Sequence, residues 1–217
     1  MKKRIRNGFY SAALSLVAFV LWTCAVSFVD VRSIGPENSS VGFAALNGFF
    51  HSLTGVNFLL YDITDWLGLV PIFVMAGFAL LGLVQWIKRR QLKAVDASLF
   101  VLGGFYIVVA TVFLFFEAVV INYRPVLING VLEASYPSST TLLVMCVMPV
   151  ALMQLNARIK NNYFKRFVFV FVILFTVFMV AARLVSGVHW LSDIIGGLLL
   201  SAGLVSAYHT AVLMLKK

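Results

Sequence analysis

Apolar residues in this chain gather into long runs divided by short polar stretches, with none of the two-residue alternation of surface strands. Six runs stand out: Phe9–Val29, Trp66–Ile87, Ala97–Ile121, Ser139–Leu155, Phe167–Ala182 and Asp193–Leu215. Most are long enough as helices to cross a hydrocarbon layer of roughly 30 Å. The fourth is short and carries Pro149, which neighbouring membrane helices tolerate. The first is too long and too poorly terminated for a cleaved signal peptide and is expected to stay as an anchor. Trp66 and Trp86 bracket the second run, as interfacial anchors do. With no internal repeat, low-complexity tract or linker between the runs, residues 1–217 are expected to form one membrane-embedded domain. The expected fold is an all-α integral membrane protein, a bundle of six transmembrane helices.

Composition agrees: the 217 residues are 62% hydrophobic and 12% charged, far from the balance of a soluble domain. Charge placement adds an orientation. Of the 17 Lys and Arg, all but Arg32, Arg124 and Arg183 fall in four clusters. These are Lys2–Arg6, Lys88–Lys93, Arg158–Arg166 and the final Lys216 and Lys217, which alternation of six spans puts on one side. The positive-inside rule makes that side, and both termini, cytoplasmic in a cell (plasma) membrane. The net charge of +9 therefore reflects topology and anionic lipid heads, and nucleic acid is not an expected partner. Every acid but Asp96 lies in the outer half or outer loops.

Cys24 and Cys146 both fall inside predicted spans and read as small apolar core residues. No pair has metal-ligand spacing, so neither a metal nor another cofactor is expected.

Chemistry concentrates at the outer ends. In Arg183-Leu-Val-Ser-Gly-Val-His189-Trp-Leu-Ser-Asp193, a histidine stands four residues before an aspartate, with an arginine six residues upstream. Phosphoryl transfer through histidine needs this trio: an imidazole nucleophile, a carboxylate to fix its tautomer and a guanidinium for phosphate oxygens. Charges at membrane depth are costly enough to mark function. Tyr136-Pro137-Ser138-Ser139-Thr140-Thr141 opens the fourth span, and its amides, hydroxyls and helix dipole suit an anion as well as an ordinary N-cap.

Arg124-Pro125, Pro137-Ser138 and Arg183-x5-His189-x3-Asp193 on successive outer loops resemble the type 2 phosphatidic acid phosphatase and haloperoxidase superfamily, in its membrane lipid phosphatase branch. That family's pattern is Lys-x6-Arg-Pro, Pro-Ser-Gly-His and Ser-Arg-x5-His-x3-Asp. The resemblance covers about Glu117 to Asp193 and, by span count, the whole chain. It implies a metal-independent site at the outer membrane face that dephosphorylates lipid phosphates or isoprenoid diphosphates. His189 would be the nucleophile and Asp193 its orienting partner, with Arg124, Arg183, Ser138 and Ser139 around the phosphate.

The chain departs from the pattern at three places. Glu117 stands where the family has lysine, Ala182 replaces the serine before Arg183, and Thr140 replaces the second-motif histidine. That histidine would protonate the leaving group and later activate water, which a threonine hydroxyl does not do near neutral pH. An alkoxide leaving group, with a conjugate acid about as weak as water (pKa about 15.7), needs such an acid. A phosphate leaving group, with a pKa of roughly 6, does not. The expected substrate is therefore a polyprenyl diphosphate, in bacteria the undecaprenyl carrier lipid. Alternatives are a phosphatase or phosphotransferase for phospholipid or lipid A type substrates, and a non-catalytic lipid-binding or transport protein. For the missing proton carrier the candidates are Glu117, which otherwise pairs with Arg124 or Arg183, Thr140 itself, and His51 of the first outer loop. His209, in the sixth span, reads as a packed or interhelical group. The outer loop Asp30–Asp65 is half apolar and suits an interfacial helix or re-entrant cap.

Overall fold

The computed structural model describes residues 1–215, so the cluster Lys216–Lys217 lies outside the described residues. Eight α-helices follow one another: α1 (Lys2–Phe28), α2 (Ala44–Thr54), α3 (Phe58–Leu67), α4 (Leu69–Arg89), α5 (Ala97–Ala118), α6 (Ser139–Arg158), α7 (Asn162–Val185) and α8 (Leu191–Met214). Helices α3 and α4 meet at Gly68 and together make one candidate span, Phe58–Arg89. With α1, α5, α6, α7 and α8 this gives six helices long and apolar enough to cross a membrane.

Helices α6 and α8 are the most buried, and the others surround them with apolar faces turned outward. Helix α1 runs antiparallel to α8: Ser11 meets Ser206 at 3.3 Å near one end, and the Trp22 indole donates to the Ser192 carbonyl at 3.0 Å near the other. In lipid, close contact between helices rests on small residues and shape fit rather than expulsion of water. Gly196 of α8 shows this, because a Cβ there would come within 2.6 Å of the Tyr136 ring. The Tyr136 ring in turn stacks on Phe19 of α1, while its hydroxyl lies 2.7 Å from that of Thr23. The outward-facing Phe164, Phe167 and Phe171 of α7 stack in a row at helical spacing that ends on the half-buried Phe175.

The end of the bundle carrying α1's start and the α4–α5 and α6–α7 turns holds the basic clusters. There Asp96 accepts from Gln85 at 2.9 Å and pairs with Arg89 at 3.3 Å and Arg158 at 3.4 Å. The Gln85 bond, then the two arginines, hold its carboxyl below the usual range against the opposing effect of burial. His209 differs from the packed group read from sequence: it is exposed on the outer surface of α8. Pro149 sits inside α6 without ending it. Of the two cysteines, Cys146 is buried and Cys24 is exposed.

Candidate active site

Three irregular segments at the opposite end converge on the start of α8. The first, residues 119–138, folds back on itself through an Asn129-Gly130 turn in which both residues take positive φ (51° and 79°). This is the pairing favoured by two-residue hairpin turns. The turn brings Tyr123 opposite Ala134, so that Arg124 N donates to the Glu133 carbonyl (3.0 Å) and Ser135 N to that of Asn122 (2.9 Å). Arg124 and Ser135 thereby become neighbours although a loop of ten residues separates them.

The second segment is the α7–α8 turn. Gly187 has φ +67°, and a Cβ there would collide with the carbonyl oxygen of Gly55 from the third segment, the α2–α3 link. Asn57 N donates to the Ser186 carbonyl at 2.9 Å across the same contact. His189 is held in this turn, almost wholly buried, just before α8 begins.

The imidazole of His189 has a partner on each nitrogen. Nδ1 is 3.0 Å from the Ser135 hydroxyl, which donates to Asp193 Oδ2 at 2.5 Å. Since Ser135 spends its one proton on the carboxylate, its oxygen accepts from His189 Nδ1–H, and Nε2 is left with the lone pair. Nε2 faces Arg124 Nη1 at 3.3 Å. Asp193 accepts further bonds from the Trp190 amide (2.9 Å), the Asn122 amide side chain (3.2 Å) and the Ser192 hydroxyl (3.3 Å). Burial foremost, then the charges of Arg124 and Arg183, hold the His189 pKa well below its ordinary 6.5. The ring is therefore a neutral base at physiological pH.

Both arginines are buried and both carry a carboxylate. Arg124 Nε lies 3.0 Å from Glu133 Oε2, out of line for a hydrogen bond. Arg183 reaches Asp65 Oδ1 (3.0 Å) and the Thr140 hydroxyl (2.6 Å) through Nη2, and Thr64 Oγ1 (3.2 Å) and the Tyr61 carbonyl (3.3 Å) through Nη1. A guanidinium so deeply buried and stripped of such partners would cost about 3–5 kcal/mol. The Tyr61 ring lies against both, 4.7 Å from the Arg183 guanidinium carbon and 5.9 Å from that of Arg124. Two cations, a neutral imidazole and an aromatic wall suit a phosphate group.

The residues expected from sequence do not all meet at the site. Arg124, Arg183, His189, Asp193 and Thr140 stand around this one site. Ser138 is fully buried, its hydroxyl accepting from Thr141 N at 3.5 Å as the N-cap of α6, while its own amide bonds the Asp193 carbonyl. Ser139 faces outward between α5 and α6. Glu117 is exposed at the end of α5; Glu133 and Asp65, not Glu117, are the partners of Arg124 and Arg183. His51 packs its ring against Trp190 at 5.5 Å, with Nε2 buried and unbonded. Ser135, Asn122, Tyr61, Asp65 and Glu133 are additions that spacing alone did not mark. The Asn129-Gly130 pair was the available sign that Arg124 and Ser135 would meet. Among the described residues, no group of three or more His, Cys, Asp or Glu is arranged to hold a metal ion.

No curated protein matches the sequence. The family model described as PAP2 superfamily matches residues 115–217. Among solved structures, the chain resembles a transmembrane PAP2 type phosphatidylglycerolphosphate phosphatase from Bacillus subtilis, with a TM-score of 0.63 and 16% identity over 96% of this chain and 98% of that one. The residues matched by that family model hold every site residue except those of the α3 wall and His51, and the chain as a whole shares the fold of that transmembrane protein.

Proposed function

We propose that this chain, as one domain over residues 1–217, is a metal-independent lipid phosphatase. It works at the outer leaflet of the cell membrane with both termini cytoplasmic, and its substrate is a polyprenyl diphosphate such as undecaprenyl diphosphate. One observation carries the reading: His189 presents the lone pair of Nε2 toward Arg124 while Ser135 and Asp193 hold its other nitrogen. A protein that only bound phosphate would need the arginines but no aimed nucleophile.

The terminal phosphate sits between Arg124 and Arg183, taking the place of Glu133 on Arg124 and sharing Arg183 with Asp65. Nε2 attacks the terminal phosphorus, the bond to the bridging oxygen breaks, and the lipid monophosphate leaves with that electron pair. The imidazolium that results keeps its Nδ1 proton on Ser135, and the buried Asp193 carboxylate behind it offsets the new charge. Water then attacks phosphorus, the P–N bond breaks and inorganic phosphate is released. The α6 N-terminus, with Thr140 on Arg183, adds the positive end of a helix dipole to the same space.

A seat for the chain is available at the start of α6. An apolar cleft of about 220 Å³ opens between α4, α5 and α6, lined by Ile72, Met75, Val109, Phe113 and Leu143, with Ser139 at its edge. The second reading is a phosphomonoester such as phosphatidylglycerolphosphate, on which the structurally similar Bacillus subtilis protein acts by name.

The test is phosphate release by purified protein in detergent from undecaprenyl diphosphate, undecaprenyl monophosphate and phosphatidylglycerolphosphate, with and without a chelator. The expected result is chelator-resistant release, fastest from the diphosphate and lost in His189→Ala. No release from any of the three lipids, or full activity in His189→Ala, overturns the reading.

A further inference from the structure

Hydrolysis of a phosphohistidine needs a group that takes a proton from the attacking water, and the residues around Arg183 supply one. Thr140, at the position where the second motif would place a proton carrier, has a hydroxyl bonded to Arg183 Nη2 at 2.6 Å. Asp65 Oδ1 contacts the same nitrogen at 3.0 Å. Asp65 belongs to α3, one helical turn after Tyr61, whose ring forms the wall between the two arginines. The carboxylate is open to solvent on its far side, with its side chain 61% exposed, while Arg183 is almost fully buried. Asp65 thus links the buried Arg183 guanidinium to the solvent-facing side of α3.

The other carboxylates of the outer end are less well placed. Asp193 is fully buried behind Ser135, and Glu117 has no arginine partner. Glu133 lies at the Nε edge of Arg124, whereas Nη1 of that arginine faces His189.

We propose that Asp65 is the general base of the second half-reaction, taking over the water-activating role for which Thr140 is unsuited. The proposal rests on the phosphatase reading above. When phosphate takes its place on Arg183, the Asp65 carboxylate stays beside it and hydrogen-bonds the incoming water. One O–H bond of water breaks as its proton passes to the Asp65 carboxylate oxygen that Arg183 does not hold. The water oxygen bonds to phosphorus, and the P–N bond to His189 Nε2 breaks, its electron pair returning to the imidazole. The proton on Asp65 is lost to solvent.

Rapid quench into alkali, which preserves phosphohistidine, separates this role from a merely structural one. The full-length protein in detergent is mixed with polyprenyl diphosphate labelled in its terminal phosphate. In the wild type, phosphate is released steadily and labelled protein stays scarce. In Asp65→Asn, the first step should run and the second stall: labelled protein accumulates toward one phosphate per chain while turnover falls about 10²–10⁴-fold, the size of a general acid–base contribution. Hydroxylamine, which attacks phosphorus without a base, should restore much of the Asp65→Asn turnover, and Asp65→Glu should retain part of it. Slow formation of label without accumulation in Asp65→Asn, in protein that elutes as the wild type does, would mean that Asp65 serves only to hold Arg183. Unchanged turnover in Asp65→Asn overturns the proposal as well. Absence of phosphate release by the wild type removes the phosphatase reading itself, and the role of Asp65 with it.

Discussion

His189 and Asp193 lie 3.9 Å apart at their nearest polar atoms, too far for a hydrogen bond, and the Ser135 hydroxyl bridges them. An i, i+4 pair on a continuous helix would touch, but here His189 precedes α8 and belongs to the turn before it. The tautomer of His189 is thus set by a serine from a different loop. Ser135→Ala should lower kcat by about 10–100-fold, the range for outer partners of metal-bound histidines, with little change in thermal stability. Steady-state kinetics with the diphosphate lipid measures it. Wild-type kcat in Ser135→Ala would show that Asp193 moves up to bond His189 directly.

The depressed pKa of His189 gives a second expectation. Burial and the two arginines disfavour the imidazolium, so the ring stays neutral as pH falls through 6.5 and protonates only well below it. If His189 is the nucleophile as proposed, activity should therefore persist in mildly acidic medium and fall only at lower pH. Nitrogen chemical shifts of labelled His189 in the ligand-free protein should show a neutral, Nδ1-protonated ring at pH 6. Arg124→Gln removes one of the causes and should move the titration upward. A ring already charged at pH 6 in the wild type contradicts this account.

Thr140 offers no acid, so substrates should be ranked by leaving group. Diphosphate lipid should exceed the matched monophosphate in kcat/KM by about 10²-fold or more, the lower size of a general-acid term. Thr140→His should narrow that gap mainly by raising monophosphate turnover. Equal wild-type values on the two lipids would mean that another residue protonates the leaving group.

Membrane orientation is open to labelling. In a variant lacking Cys24 and Cys146, a cysteine replacing exposed Val131 should react with an impermeant thiol reagent in intact cells. One replacing Gln91, in the link after the basic end of α4, should not. The reverse pattern puts the site on the cytoplasmic side.

Hydropathy read the spans well but their ends poorly, and the reason is physical. It registers the lipid-soluble middle of a helix, whereas the helix itself continues into the polar region. Helix α1 already begins at Lys2, and α7 begins at Asn162, where Asn161 caps it by accepting from Phe164 N at 3.0 Å. Helix α3 was hidden inside the loop Asp30–Asp65 because Asp62 and Asp65 dilute a ten-residue apolar segment. At the site, Arg124, Arg183, His189 and Asp193 could be read because helix spacing and costly charge single them out. Ser135 was marked only indirectly, by the Asn129-Gly130 turn, and Tyr61 and Asp65 not at all, since they reach the site on a helix that crosses from another part of the chain.

The pairing of Arg124 with Glu133 and of Arg183 with Asp65 has a consequence for what enters the site. An empty cavity with two bare guanidinium groups would attract any small anion, including the phosphate it has just released. Here two negative charges already balance the two positive ones, so a phosphate gains only the difference between its own contacts and those it displaces. On the proposed function, small free anions would be held weakly under such an exchange, whereas a lipid would add the energy of its chain. Selectivity for a membrane-borne substrate would then follow from the resting charge balance, with weak product inhibition by inorganic phosphate as its expected kinetic signature.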